Sequence, residues 1–339
     1  MDLIAASRKE STISTRYGSA EPGTGVRLDE ARGRLLQSGA GTRLEAFGPA
    51  EWGLLTSIAL IWGSSFVLID FALTWFLPGV IAAARVGLGA LTLALVPAAR
   101  RPVAREDLPR VAFLGVIWMG IPLSLFPIAQ QSIDSSVAGM LNGAMPLATA
   151  AWSALLLRRA PGGSQVIGLL VGFAGILAIS WPQVQGSDAS LQGTLLVLAA
   201  ITLYGLSANL AVPLQQKYGA LPVLLRAQLA ALLIVIPFGL TDVAASEWSW
   251  QAALAMVPLG ALGTGMAFVL MATLVGRVGG PRGSVAIYFV PVVAMILGVI
   301  LLEETIARSA LVGIGLVLGG AWLTSRRDRA GAEEAAPAR

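Results

Sequence analysis

The sequence predicts an all-α polytopic membrane protein, with ten transmembrane helices in two inverted five-helix repeats. Three observations lead there. Of 339 residues, 56% are hydrophobic and only 12% are charged, where a soluble domain has about 25% charged residues. Ten apolar stretches of near-span length follow one another along the chain. The basic residues collect in alternate loops, which constrains the number of spans.

A crossing of the hydrocarbon layer takes about 20 mostly apolar residues. Breaks at Pro, Gly and charge clusters place the spans near 51–73, 79–99, 110–130, 135–157, 164–181, 191–213, 220–241, 250–274, 283–302 and 309–325. Lys and Arg mark cytoplasmic loops. Seven precede span 1, four follow span 2 (Arg100, Arg101, Arg105, Arg110), two follow span 4 (Arg158, Arg159), Lys217 follows span 6, Arg277 and Arg282 follow span 8, and four lie in the C-terminal tail. The opposite loops hold only Arg308, while Arg85 and Arg226 fall inside spans. One helix missed or added would scramble this split of 20 to 1. Both termini are therefore expected in the cytoplasm, and the protein in the plasma or inner membrane.

Residues 1–49 are polar, rich in Gly and Ser, and lack sustained periodicity, the composition of a disordered tail. Residues 326–339 read the same way. The expected organisation is a cytoplasmic tail over 1–49, a first repeat over 50–181, a second over 190–325 and a C-terminal tail over 326–339. There is no Cys and no His. Disulfides, thiolate metal sites and Ser-His-Asp catalysis are excluded, and neither a metal nor a cofactor is expected. The net charge of +4 marks membrane orientation, so no nucleic-acid partner is implied.

The halves repeat each other. "SSVAGMLNGAMPLATAAWSALLLRRA" lies over "GSVAIYFVPVVAMILGVILLEETIA". Ser136-Val137-Ala138 matches Ser284-Val285-Ala286, and Pro146 matches Pro291 after a three-residue gap. An offset of 145 then carries Gly168 to Gly313 and Gly175 to Gly320. Trp62-Gly63-Ser64-Ser65 lies over Tyr204-Gly205-Leu206-Ser207, and each second helix holds one arginine, Arg85 or Arg226. Five helices per half is an odd number, so the second copy runs inverted, the plan of many secondary transporters.

On "IALIWGSSFVLI", the arginine of "AAARVGLGALTLAL", "SVAGMLNGAMPLATAAWSALLL" and "LGTGMAFVLMATLVGRVGGPRGSVAIYFVPVVAMILGVILLEE", the sequence resembles the EamA-type transporters of the drug/metabolite transporter superfamily. The resemblance covers about residues 51–325. It implies ten helices in two inverted repeats and movement of small metabolites, often amino acids, with export the expected direction. It departs at Leu157-Arg158-Arg159, where the family commonly has a Gly-Glu-Arg-like segment; the second copy keeps Leu302-Glu303-Glu304. The other class weighed is a polytopic enzyme acting on lipid-linked substrates. Short loops and the lack of adjoining intramembrane acids speak against it.

Candidate substrate-binding residues follow from the repeat: Trp62, Gly63 and Ser64 in span 1 and Tyr204, Gly205 and Ser207 in span 6, joined by Asn142 in span 4 and Tyr288 in span 9. Gly and Ser at midplane ease close helix packing; they also loosen a helix so that its backbone meets a substrate. Pro146 and Pro291 mark helix kinks, since each frees a carbonyl. Asp70 and Arg85 are the intramembrane charges. Counted from the turn near residue 76, they lie roughly 3 Å apart in depth. Either they pair, or each finds its own partner. Gly168-xxx-Gly172 and Gly315-xxx-Gly319, in spans 5 and 10, are buttresses and a candidate homodimer contact.

Cysteines introduced at Ser187 and Ser246 are expected to react with an impermeant thiol reagent from outside the cell, and one at Gly162 is not. Labelling of all three from one side would refute the charge-based topology.

Overall fold

The computed structural model describes residues 35–43, 45–157, 162–184, 190–293 and 308–326. Among them every regular element is helical. Six helices are long and apolar enough to cross a membrane: Pro49–Leu73, Arg105–Ala129, Val137–Leu157, Leu191–Tyr218, Ala220–Val243 and Trp250–Val278. Pro78–Ala94, Gly163–Ala178 and Leu311–Ser325 are shorter apolar helical stretches. Residues 294–302 of the ninth expected span, with Glu303, Glu304, Arg158 and Arg159, lie outside the described residues, as do residues 1–34 and 327–339 of the expected tails.

Most of the long helices are interrupted. The first consists of α1 (Pro49–Gly63) and α2 (Ser65–Leu73), joined at Ser64. Next comes α3 (Pro78–Ala94). It stops short of the expected residue 99 because Pro97 opens a separate 3₁₀ turn over Pro97–Arg100, and proline cannot extend the α-helical ladder. The third span joins α4 (Leu108–Gly115) to α5 (Ile121–Ala129) through a π turn at Val116–Gly120. The fourth breaks at Gly143-Ala144 between α6 (Ser135–Asn142) and α7 (Met145–Leu157). There follow α8 (Gly163–Val184), α9 (Leu191–Tyr218) and α10 (Ala220–Val243). The eighth span joins α11 (Trp250–Pro258) to α12 (Ala267–Val278) through a longer π segment, Leu259–Met266. A short α13 (Gly280–Ser284) leads into a 3₁₀ turn at Val285–Tyr288, and α14 is Arg308–Ser325. Gly219 and Gly279 end α9 and α12 at φ of +80° and +84°, a conformation that glycine adopts without strain.

The two π segments occupy corresponding places in the halves. The landmark offsets run from 141 to 148 residues, which carries 116–120 onto 257–268, and the second π segment is Leu259–Met266.

Residues 35–43 and 45–48, expected within a disordered tail, instead form a strap against the bundle. Ser38 Oγ donates to the Asn209 carbonyl at 3.2 Å, and Gln216 Nε2 to that of Ala40 at 2.9 Å. The Arg43 amide donates to the Arg277 carbonyl at 2.8 Å. Glu51, buried at the start of α1, pairs with Arg43 at 3.2 Å and Arg277 at 3.3 Å. Arg282, read from sequence as a loop charge, is buried; its guanidinium donates to the carbonyls of Arg43, Glu45 and Ser325. Low periodicity misled here, because a segment without a face of its own is held by cations supplied from elsewhere.

A second polar lock sits where α4 meets α9. The buried Asp107 carboxylate accepts from Lys217 at 2.8 Å, Tyr218 at 2.6 Å and Arg110 at 3.2 Å.

The Gly168-xxx-Gly172 part of the candidate dimer contact is corrected. A Cβ on Gly168 would lie 2.8 Å from the Gly320 carbonyl, and one on Gly175 would lie 2.7 Å from that of Gly313. These glycines let α8 and α14 approach within one chain, while Gly172 makes room for the Tyr288 ring. The Gly168-xxx-Gly172 motif is therefore spent inside the monomer. Gly315 and Gly319 face open space.

Truncation through residue 48, compared with truncation through residue 34, is expected to lower the melting temperature in detergent by about 3 °C, the effect of losing ~2 kcal/mol from a protein of this size. Equal melting temperatures would show that the strap contributes nothing.

Candidate functional site

The interrupted helices surround a cavity. Its walls are largely aromatic. On one side Trp62 and Trp118 each meet the Phe268 ring edge-on, at centroid distances of 5.3 and 5.5 Å. On the other, Phe66 meets Phe126 edge-on at 5.7 Å, and Phe126 stacks on Tyr204 at 5.8 Å. All six rings line the cavity, with Ser65, Arg85 and Asn142 as its polar members. Trp62, Phe66, Arg85, Trp118, Phe126 and Asn142 come from the first half of the chain; Tyr204, Phe268 and Ile287 come from the second.

Local geometry explains how the chain builds these walls. At the α1–α2 junction the Ser64 and Ser65 hydroxyls both donate to the Ile61 carbonyl, at 3.0 and 3.1 Å. In the π segment before α12, two successive carbonyls take side-chain donors from other helices: Gly263 from Trp62 Nε1 at 2.8 Å, and Thr264 from Gln228 Nε2 at 2.7 Å. Thr264 Oγ1 in turn accepts from Arg85 Nε at 3.1 Å and donates to the Leu259 carbonyl. Arg85 is only 4% exposed. Among the described residues it has no carboxylate partner, and Thr264 is its hydrogen-bond acceptor. Asn142 Oδ1 is buried without a donor.

Of the residues singled out from sequence, Trp62, Arg85, Asn142 and Tyr204 line the cavity. The others are placed elsewhere. A Cβ on Gly63 would meet Val293 at 2.8 Å, and one on Gly205 would meet the Ala148-Thr149 backbone at 2.8 Å, so both serve close packing. Ser64 and Ser207 return their hydroxyls to their own helices. Tyr288 is fully buried and donates to the Leu169 carbonyl at 2.7 Å. Asp70 is exposed, one position beyond the buried face of α2 made by Ser65, Ile69 and Ala72, and it makes no ion pair with Arg85. Pro146 sits buried in the first turn of α7, just past the break it was taken to mark, and Pro291 follows the 3₁₀ turn at Val285–Tyr288. Sequence reasoning missed Ser65 as a cavity residue, and also Phe66, Trp118, Phe126 and Phe268. For Trp118, Phe126 and Phe268 the signal was the aromatic content of spans 3 and 8.

Apolar broken helices around a cavity shared by both halves define a polytopic membrane transporter. The model of the EamA-like transporter family matches residues 52–181 and again 191–326, and the chain belongs to that family. It is similar to an uncharacterized transporter of Archaeoglobus fulgidus, at 24% identity over 82% of this chain and 99% of the relative. It is also similar to the uncharacterized transporter YoaV of Bacillus subtilis, at 27% identity over 80% and 95%. A probable terminal-alkyne amino-acid exporter of Streptantibioticus cattleyicolor is 27% identical over 82% and 94%. A solved crystal structure aligns with a TM-score of 0.66 at 17% identity, over 81% of this chain and 96% of its own; that likeness concerns the fold.

Gly205→Leu is expected to yield aggregated protein, because the added side chain meets backbone rather than a yielding side chain. Tyr204→Phe is expected to stay monodisperse in detergent. A monodisperse Gly205→Leu variant would return that residue to the cavity wall.

Proposed function

We propose that the protein is a secondary transporter that exports small metabolites, most specifically amino acids or related solutes, across the plasma or inner membrane. In this reading ten helices form two inverted five-helix repeats, both termini are cytoplasmic, and the cavity between the halves opens to each side in turn. The observation that carries it is the cavity itself: an aromatic chamber in an apolar bundle, with walls drawn from both copies of the family match. The relative named as an amino-acid exporter supports the substrate class. The cavity's polar members, Ser65, Arg85 and Asn142, are binding groups without a nucleophile–base pair among them, which favours passage over chemistry.

Purified protein in proteoliposomes is expected to exchange labelled amino acids with apolar side chains, at rates at least about 10-fold above protein-free vesicles. Trp118→Ala, which opens the aromatic wall, is expected to reduce that exchange while leaving the protein monodisperse. Absence of exchange across a full amino-acid panel, with or without a pH gradient, would refute the proposed substrate class.

A further inference from the structure

We propose that Arg85 anchors the carboxylate of the transported solute, and that Asn142 Oδ1 accepts a hydrogen bond from a donor on the carbon beside it. The inference rests on reading the cavity as the transport site, and it narrows the substrate to apolar monocarboxylates carrying a neighbouring N–H or O–H.

Arg85 lies seven residues from the start of α3 and nine from its end, about 10 and 14 Å along the axis. The side chain turns into the cavity instead of toward either helix end. A buried cation without a counter-charge is costly. Thr264 Oγ1 takes only Nε. No hydrogen bond within the described residues engages either Nη. A guanidinium held by Nε presents its remaining N–H groups as a planar fork, the geometry that receives a carboxylate through two parallel bonds. Asn142 Oδ1 supplies the independent observation. It is an acceptor, it is buried, it lacks a donor, and its residue lines the same cavity. A buried acceptor left open costs stability unless something fills it. One molecule with a carboxylate and an adjacent donor satisfies both groups, and the six rings take its apolar remainder. An aromatic chamber alone would also suit an organic cation; the Arg85 charge opposes one.

The test uses the full-length wild-type protein in detergent and in proteoliposomes, with five probes of one shape: phenylalanine, phenyllactate, 3-phenylpropionate, phenylalaninamide and phenethylamine. Calorimetric binding is expected for phenylalanine and phenyllactate. It should weaken about 10-fold for 3-phenylpropionate, which lacks the donor, and about 100-fold or more for the amide and the amine, which lack the carboxylate. Asn142→Leu should abolish the preference for phenylalanine over 3-phenylpropionate, and Arg85→Gln should remove carboxylate binding. Because the Arg85 variant can fail to fold, the wild-type ranking decides. Amide or amine binding as tightly as phenylalanine overturns the anchor, as does a wild type that binds none of the five. Flux separates the two readings. If the amine is carried as fast as phenylalanine, transport stands and the anchor falls. If phenylalanine binds in the predicted order without crossing, the anchor stands and the transport reading falls.

Discussion

A helix broken inside an apolar bundle releases carbonyls that neither lipid nor water can satisfy, and the rest of this structure is organised around that need. The Ile61 carbonyl takes two serine hydroxyls. Those of Gly263 and Thr264 take an indole N–H and an amide. Inside unbroken helices, Asn209 Nδ2 adds bonds to the carbonyls of Thr149 and Gly205 at 2.9 Å each, and Tyr288 adds one to that of Leu169. The donors to Ile61, Gly263 and Thr264 come either from the break itself or from a helix packed against it, so the polar side chains also tie helices together.

The breaks also make the cavity. A π segment is wider than an α turn, and it redirects the side chains that follow. Trp118 sits within the first such segment and Phe268 just after the second, and the two rings meet. The second also presents Thr264, which positions the Arg85 guanidinium. The same local widening therefore shapes the wall and fixes the one buried charge that faces the space within. A straight helix at the second place would shift Thr264 away from the Arg85 guanidinium it accepts from.

Composition, apolar stretches and basic-residue alternation made the membrane class and the repeat legible from sequence, because they are averages over many residues. The site was only partly legible. Trp62, Arg85, Asn142 and Tyr204 stood out as polar or aromatic landmarks matched across the halves or buried in spans. Asp70 matched Arg85 in depth, but depth says nothing of the direction a side chain takes around its helix, and Asp70 points outward. Ser64, Ser207 and Tyr288 looked like substrate groups because a side chain that satisfies a carbonyl and one that binds a solute have the same chemistry in one dimension. Gly63 and Gly205 carry no side chain to reveal what approaches them. The strap was hidden for a different reason: its partners, Arg277, Arg282 and Ser325, lie more than two hundred residues away in the chain.

That separation has a consequence for how the molecule is made. Residues 35–48 leave the ribosome before any helix of the bundle, yet the Phe47 amide donates to the carbonyl of Ser325, near the end of the last described helix. Arg282 joins the same carbonyl to those of Arg43 and Glu45. The first part of the described chain to be synthesised is thus among the last to find its place. The contacts to Arg282 and Ser325 therefore report that the final helix has been inserted and packed, and a nascent chain stalled before residue 282 would hold the strap without them.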